Sequence, residues 1–174
     1  REVNLWSDWQ AVRELMVLYR VTRPEIIFLN SSKAGLLGAL AARLVRSAVP
    51  AKVIYRVGGW TFNDPWPRWK QYFFRQLEKL SARWKDIIIV NSQADLRQGQ
   101  QLGIRPRHAL TQVPNGLDAY RLNLLAPEEA RLRLFEKIAV QAGKIFQAKT
   151  LIGAIANLYP AKGLDYLIAA AAHF

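Results

Sequence analysis

The chain has 174 residues, of which 51% are apolar and 22% charged, a composition that can bury a core and is not typical of a disordered protein. Lysine and arginine number 25 against 13 acidic residues, so the formal net charge of +12 favours anionic partners. The basic residues are scattered, which argues against a dedicated nucleic-acid-binding tail. The absence of cysteine excludes a disulfide framework and any cysteine-ligated metal site.

In chain order, apolar residues at helical spacing first predict an amphipathic helix over residues 5–20, which Pro24 ends. Between later helices, short apolar runs predict strands over 25–30, 52–57, 86–90 and 109–113. The intervening helices are predicted over 33–47, over 67–84 and from Asn91 to Gly103. The helix over 67–84 carries an apolar stripe of Trp69, Phe73, Leu77 and Leu80.

Strands and helices alternate along the chain, and the strands are apolar throughout. This pattern predicts a parallel sheet with right-handed crossovers and both faces buried, the doubly wound α/β fold. Residues 117–148 are polar with a mostly helical pattern, above all over 127–138, and we interpret them as a bridge. A fifth strand over 151–156 and a helix over 163–172 are predicted to follow.

Ligands of such sheets bind beyond the carboxyl ends of the strands. Four segments of the chain are predicted to lie at that edge, and their glycine, serine and asparagine content suits tight turns and ligand contact. The segments are residues 30–33, 58–60, 91–92 and 115–116, of which the first begins with Asn30. The candidate site residues within them are Ser31, Ser32, Lys33, Gly58, Gly59, Trp60, Asn91, Ser92, Asn115 and Gly116.

Several of these residues have two interpretations. Residues 31–33 could bind an anionic acceptor at a helix N-terminus, or they could simply cap that helix. Trp60 and Trp66 could stack on a sugar ring or a lipid, or they could cover the edge of the core. Asn115 and Gly116 are typical of a turn that shapes a cleft.

A second candidate site lies near the end of the chain, where Lys162 and Gly163 open the last predicted helix. A helix N-terminus carries partial positive charge and free N–H groups, and glycine lets the backbone approach a ligand closely. The pattern therefore favours a phosphate site. A surface lysine at a helix start is the alternative interpretation.

With these segments in order, the chain resembles family 4 glycosyltransferases of the GT-B type, which have two Rossmann-like domains facing a cleft. The segments that carry the resemblance are residues 29–35, 57–62, 88–92, 113–118 and 157–163. The resemblance implies that a sugar is transferred from a UDP- or GDP-type nucleotide-sugar to a glycan or lipid-linked acceptor. It also implies retention at the anomeric carbon and no obligatory metal or other cofactor.

The resemblance assigns the donor diphosphate to Lys162, beside Gly163. Asn157 stands where the family usually has an arginine that helps to hold this diphosphate, and Gly58 stands where it usually has a histidine directed at the donor sugar. Arg56, two residues before Gly58, is a candidate substitute for that histidine. No catalytic residue is assigned.

The resemblance also predicts the domain organisation. Residues 1–148 are expected to be an incomplete, acceptor-side N-terminal domain, and residues 149–174 the first strand and helix of the nucleotide-sugar-binding domain. A first strand is expected before Arg1 and a pair of glutamates after Phe174. The chain alone is therefore expected to lack turnover.

A second hypothesis from a different class stays open: a non-catalytic Rossmann-like module that binds a polyanion such as nucleic acid. The missing histidine and arginine favour it, whereas the lack of a recognised nucleic-acid motif argues against it. For the glycosyltransferase we expect a cytoplasmic location, and the positive charge suggests peripheral binding to an anionic membrane at its inner face.

Overall fold

The computed structural model of the chain describes residues 4–136, 152–159 and 162–173. The chain divides into two compact units, Arg1–Asn115 and Gly116–Phe174. The predicted domain boundary near residue 148 lies outside the described residues and stays a prediction.

The first unit is built on a parallel sheet of four strands, as predicted. The strands are β1 (Ile26–Leu29), β2 (Lys52–Val57), β3 (Ile87–Val90) and β4 (Ala109–Gln112), in the order β1-β2-β3-β4. All neighbours are parallel, and Tyr55 of β2 aligns with Leu29 of β1 and Ile88 of β3. Apolar runs of this length between turn residues have no helical periodicity, which explains why their prediction succeeds.

Six α-helices are described in the chain: α1 (Leu5–Thr22), α2 (Ser32–Leu44), α3 (Arg68–Ala82), α4 (Gln93–Gln101), α5 (Pro127–Glu136) and α6 (Leu164–Ala171). Asn4 caps α1, and Arg23 ends it in the left-handed conformation, φ 43°, directly before Pro24. Single turns of 3-10 helix occupy Thr61–Asn63 and Ala119–Arg121. None of the described helices combines the length and apolarity that a membrane crossing requires.

One face of the sheet is fully buried. Its side chains include Leu29, Val53, Tyr55 and Ile88, all at most 6% exposed. On the other face, Ile26 and Phe28 are more than half exposed. We expected both faces of the sheet to be buried, but only one is. Strands in consecutive order with right-handed crossovers place their connecting helices on the same side of the sheet, which leaves the other side uncovered.

The predicted fifth strand is wrong for residues 152–156, which form no strand, and residue 151 lies outside the described residues. Ile152 and Ile155 are exposed. A strand needs a neighbouring strand to receive its backbone hydrogen bonds, and the described part of the second unit contains none. The helix predicted after it is confirmed as α6.

The apolar stripe of α3 faces outward. Trp69 is 66% exposed, Phe73 55% and Leu80 51%, with Tyr72 beside them. The buried side of α3 consists of Ser81 and Ala82, with Phe74 packed against the core. We call the row Trp69, Tyr72, Phe73 and Leu80 the α3 apolar row.

Close packing of α2 on the sheet depends on Gly35. A methyl group at this position would lie 2.7 Å from Cδ2 and Cζ of the buried Tyr55 ring. We expect Gly35→Ala to lower the free energy of unfolding by about 1–3 kcal/mol, because overpacking outweighs the gain in helix propensity. Urea denaturation measures this. Gly116→Ala is the control, since its methyl group meets no atom within 4 Å; equal losses in both variants would contradict the packing argument.

Candidate functional site

The four strands end at one edge of the sheet, and the predicted site segments of the first unit follow them there. Residues 30–33 follow β1, residues 58–60 follow β2, and residues 91–92 follow β3. Asn115 lies three residues beyond the end of β4. The parallel register therefore brings together segments that are far apart in the sequence.

Arg56 occupies the centre of this edge. Its Nη1 donates to Oδ1 of Asn30 at 2.9 Å, and its Nη2 donates to Oδ1 of Asn115 at 2.5 Å. No carboxylate among the described residues forms an ion pair with Arg56. Two neutral amide oxygens thus orient the guanidinium without cancelling its charge, so the arrangement can attract an anion.

The serines and the lysine after β1 are engaged within the protein. Ser31 caps α2 by accepting from the Ala34 N–H at 3.2 Å, and Ser32 accepts from the Thr61 hydroxyl at 2.7 Å. Lys33 forms an ion pair with Asp8 of α1, Nζ to Oδ1 2.5 Å. Ser31 therefore performs the capping role, while the Lys33 charge is largely compensated.

Tyr55 lies under this segment. Its side chain is 1% exposed, and burial raises the pKa of Tyr55 above its ordinary value, with a further rise from Glu78 and an opposing effect of its hydrogen bond with Ser32. Its hydroxyl therefore stays protonated at neutral pH. The ring supports the start of α2 from below.

Gly58 and Gly59 form the open part of the edge. Both are exposed, and a Cβ on either would meet no atom within 4 Å. The space into which the family's histidine would project is thus open in this chain.

This geometry predicts that a histidine fits at Gly58. We expect Gly58→His to change the free energy of unfolding by less than about 0.5 kcal/mol, as for other exposed sites. Gly99→His is the matched contrast, because a Cβ there would lie 2.9 Å from Leu110 and 3.0 Å from the Trp60 ring. Thermal unfolding of the two variants compares them, and similar destabilisation by both would refute the prediction.

Trp60 belongs to the core. It is 2% exposed, and its Nε1 donates to the backbone carbonyl of Asp95 at 3.0 Å. A residue that stacks on a sugar needs an exposed ring face, so of the two interpretations the structure favours coverage of the core edge. Trp66 is half-buried and packs on Phe74, with 5.9 Å between ring centroids.

After β3, Ser92 caps α4. It accepts from the Asp95 N–H at 3.1 Å, and its hydroxyl donates to the Asp95 carboxylate at 2.7 Å. Asn91 differs, because its Oδ1 is buried and has no hydrogen-bond partner among the described residues. An unpaired buried acceptor is unfavourable, and this oxygen has no exposed surface through which a ligand could reach it.

The remaining candidates lie in the second unit. Lys162 is exposed directly before α6, and Gly163 caps that helix at φ 61°, a left-handed conformation that favours glycine. The predicted local arrangement of a lysine beside a glycine at a helix start is therefore present. Asn157 and Gly116 are exposed. Their assigned roles, and that of Lys162, stay predictions.

Sequence analysis placed Asn30 at this edge without predicting its hydrogen bond to Arg56, and it missed two further partners, Thr61 and Asp8. Each is separated by at least 25 residues from the side chain it contacts, so only the parallel register and the packing of α1 on α2 bring them together. In the described part of the chain, no group of three or more His, Cys, Asp or Glu side chains is arranged to hold a metal ion.

Residues 1–116 match the glycosyl transferase 4-like domain. The chain belongs to the glycosyltransferase 4-like family. This membership confirms the resemblance that the sequence segments indicated, and it makes the carboxyl edge of the sheet in this glycosyltransferase domain the candidate site.

A relative from Escherichia coli, the UDP-Gal:alpha-D-GlcNAc-diphosphoundecaprenol alpha-1,3-galactosyltransferase, is 28% identical over 172 residues. The match covers 98% of this chain and 42% of the relative. The chain thus spans about two fifths of the length of that protein.

Solved structures show the same fold. HepE of Anabaena in complex with UDP-glucose matches with a TM-score of 0.69 at 23% identity, covering 93% of this chain and 40% of that one. Its complex with UDP and glucose matches with a TM-score of 0.70 at 21% identity, covering 93% and 39%. The glycosyltransferase domain therefore has the predicted Rossmann-like α/β fold of GT-B proteins.

Proposed function

We propose that this glycosyltransferase chain is part of a retaining enzyme that transfers a sugar from a UDP-type donor to a glycan or lipid-linked acceptor. The names of the relatives support the donor, since one uses UDP-Gal and another binds UDP-glucose. The name of the Escherichia coli relative, whose acceptor is a diphosphoundecaprenol, supports a lipid-linked acceptor.

The observation that carries the proposal is the Arg56 guanidinium at the carboxyl edge, held by Asn30 and Asn115 and free of any carboxylate among the described residues. In this position it would stabilise negative charge that develops during transfer. It would thereby replace the histidine for which this chain has Gly58.

In the second unit, Lys162 would bind the donor diphosphate. It is exposed next to the N-terminus of α6, whose partial positive charge also favours an anion. Because the leaving nucleoside diphosphate gains charge in the transition state, the Lys162 ammonium beside this helix N-terminus would stabilise it without an obligatory metal ion.

Calorimetric titration with UDP, UDP-glucose and GDP tests the proposal. We expect saturable UDP binding that survives EDTA and weakens about tenfold or more in Lys162→Ala and in Arg56→Gln, as expected for a lost charged contact. Lys79→Ala and Arg97→Gln are the matched controls, since neither residue forms an ion pair within the described ranges. UDP affinity that is equal in all four variants would overturn the site assignment.

Turnover provides a separate test. The chain spans about two fifths of its relatives, so we propose that it binds a donor but does not transfer the sugar, because a complete cleft is needed to orient donor and acceptor. Release of UDP from UDP-glucose or UDP-galactose by the purified chain, measured with a lipid-linked acceptor, would contradict this.

We further propose that the enzyme is cytoplasmic and binds an anionic membrane peripherally. The exposed α3 apolar row and the net charge of +12 support this location. Flotation with phosphatidylcholine vesicles, with and without phosphatidylglycerol, tests it. Binding should require the anionic lipid and fall in Trp69→Ser/Phe73→Ser, and equal recovery with both vesicles would remove the membrane proposal.

The polyanion-binding alternative is a defined outcome of the same titrations. Tight binding of a short oligonucleotide with steep salt dependence, together with no saturable UDP binding, would favour it over the glycosyltransferase.

A further inference from the structure

A groove lined by arginines lies in the first unit. It has a volume of about 440 Å³, and its lining residues are Arg43, Arg46, Arg83, Trp84 and Arg107. We call it the arginine groove. Nothing in the candidate site uses these residues.

The arginine groove lies at the end of the sheet opposite to the candidate site. Arg43 and Arg46 stand at and after the end of α2, before β2 begins. Arg83 and Trp84 follow α3 and precede β3, and Arg107 precedes β4. These residues therefore cluster at the amino ends of the strands, whereas Arg56 and its asparagine partners lie at the carboxyl ends.

The positive charge of the groove is poorly compensated. In the described structure, Arg43, Arg46 and Arg83 form no ion pair with any carboxylate. The nearest carboxylate to Arg107 is that of Asp86, 4.0 Å from its Nη1. The Nδ1 atom of His108 lies 3.3 Å from the same carboxylate oxygen, and the other oxygen accepts from the Val53 N–H at 2.8 Å.

Like charges gathered around one groove repel one another, and an anion removes that repulsion. Arg43 lies in the last turn of α2, where the helix dipole favours a cation and thus helps to hold the cluster together without an acidic partner. Binding of an external anion to the arginine cluster is therefore favourable. Trp84 adds an apolar wall, since its ring packs partly against the core.

We propose that the arginine groove binds a phosphate-bearing anion. Guanidinium groups present paired N–H donors that match the oxygens of phosphate, and several arginines around one groove can share a dianion. The wall formed by Trp84 accommodates the organic part of a phosphate ester. Binding of a soluble phosphate here is independent of the proposed function, whereas binding of a lipid headgroup rests on the proposed membrane contact of the α3 apolar row.

The phosphate has two sources, a soluble phosphate or the headgroup of a phospholipid. The α3 apolar row ends at Leu80, and Arg83 follows three residues later with helical backbone angles, so it continues the same side of the helix. A membrane that met this row would place lipid phosphates near the groove.

The first test measures soluble phosphate. Inorganic phosphate and pyrophosphate should raise the melting temperature of the chain above its value in sodium chloride of equal ionic strength. In Arg43→Gln/Arg46→Gln, the dissociation constant obtained by calorimetry should rise about tenfold or more. The control is Arg13→Gln/Arg20→Gln, which removes the same charge from exposed positions of α1, including its last turn.

A second variant keeps the test decisive if the glutamine pair folds poorly. Arg43→Lys/Arg46→Lys retains both charges and loses the paired donors, so it should bind phosphate more weakly than the native chain and fold normally by circular dichroism. UDP affinity should be unchanged in the lysine pair but reduced in Lys162→Ala. This comparison separates the arginine groove from the proposed donor site.

The second test uses phosphatidylcholine vesicles with and without phosphatidylglycerol. Vesicle binding that falls in the groove variants, with no effect of soluble phosphate, assigns the groove to lipid headgroups. The reverse pattern assigns it to a soluble phosphate compound. If the groove variants match the Arg13/Arg20 control in both tests, the proposal is overturned.

Discussion

Trp60→Ala should lower the free energy of unfolding by about 3–5 kcal/mol, the range for removal of a large buried aromatic side chain. The Trp60 ring is 2% exposed and stacks on Phe62, with 5.5 Å between centroids and planes inclined by 12°. It also lies against Gly99 of α4, where an added Cβ would be 3.0 Å away. Alanine would therefore leave a cavity between the loop after β2 and α4.

Urea denaturation followed by circular dichroism measures this loss, and two further variants separate its causes. Trp60→Phe keeps a ring but removes the hydrogen bond to the Asp95 carbonyl, so it should be destabilised less than Trp60→Ala. Trp69→Ala, at a ring that is 66% exposed, should lose less than about 1 kcal/mol. If Trp60→Ala and Trp69→Ala are equally stable, the assignment of Trp60 to the core is refuted.

The sequence could predict where the candidate site lies, but not the role of each of its side chains. The glycine, serine and asparagine residues after each apolar run correctly located the carboxyl edge, because parallel strands place these segments together. The role of each side chain depends on contacts between distant segments. Lys33 pairs with Asp8, and Arg56 reaches Asn30 and Asn115, and no local pattern contains those pairs.

The fold was more predictable than the site because hydrophobic runs encode strands directly. Periodicity alone could not establish which side of α3 is buried, since an apolar stripe is commonly a core-facing stripe. Here Trp69 and Phe73 face outward, while small residues such as Ala82 face the core. The apolar run over 151–156 likewise predicted a strand, but such a run forms one only beside a partner strand.

The second large effect concerns Lys85, a cation that is fully buried. Its Nζ donates to Oε2 of Glu78 at 2.9 Å and to Oγ of Ser81 at 3.0 Å, and it lies 4.0 Å from the centre of the Tyr55 ring. Burial lowers the pKa of Lys85, whereas the Glu78 carboxylate opposes this effect. The ion pair with Glu78 thus favours the charged form of Lys85 in a buried environment that otherwise disfavours it.

Lys85→Met should lower the free energy of unfolding by about 3–5 kcal/mol, because it leaves the largely buried Glu78 carboxylate without its cation. Methionine has a similar length and keeps a contact with the Tyr55 ring, so packing loss contributes little. Lys79→Met, next to Glu78 on α3 and without an ion pair in the described structure, should change stability by less than about 0.5 kcal/mol.

The double variant Lys85→Met/Glu78→Leu tests whether the ion pair itself stabilises the fold or only offsets the cost of burying its two charges. Replacing both partners by apolar side chains removes the unpaired charge, and Ser81 keeps the backbone carbonyl of Glu78 as an acceptor at 3.3 Å. We therefore expect the double variant to regain stability to within about 1 kcal/mol of the native chain, since apolar replacement of buried ion pairs is often neutral or stabilising. Urea denaturation of the four members of the cycle gives the coupling energy. A double variant as unstable as Lys85→Met would show instead that the loss comes from packing around Lys85, and not from the Glu78 charge.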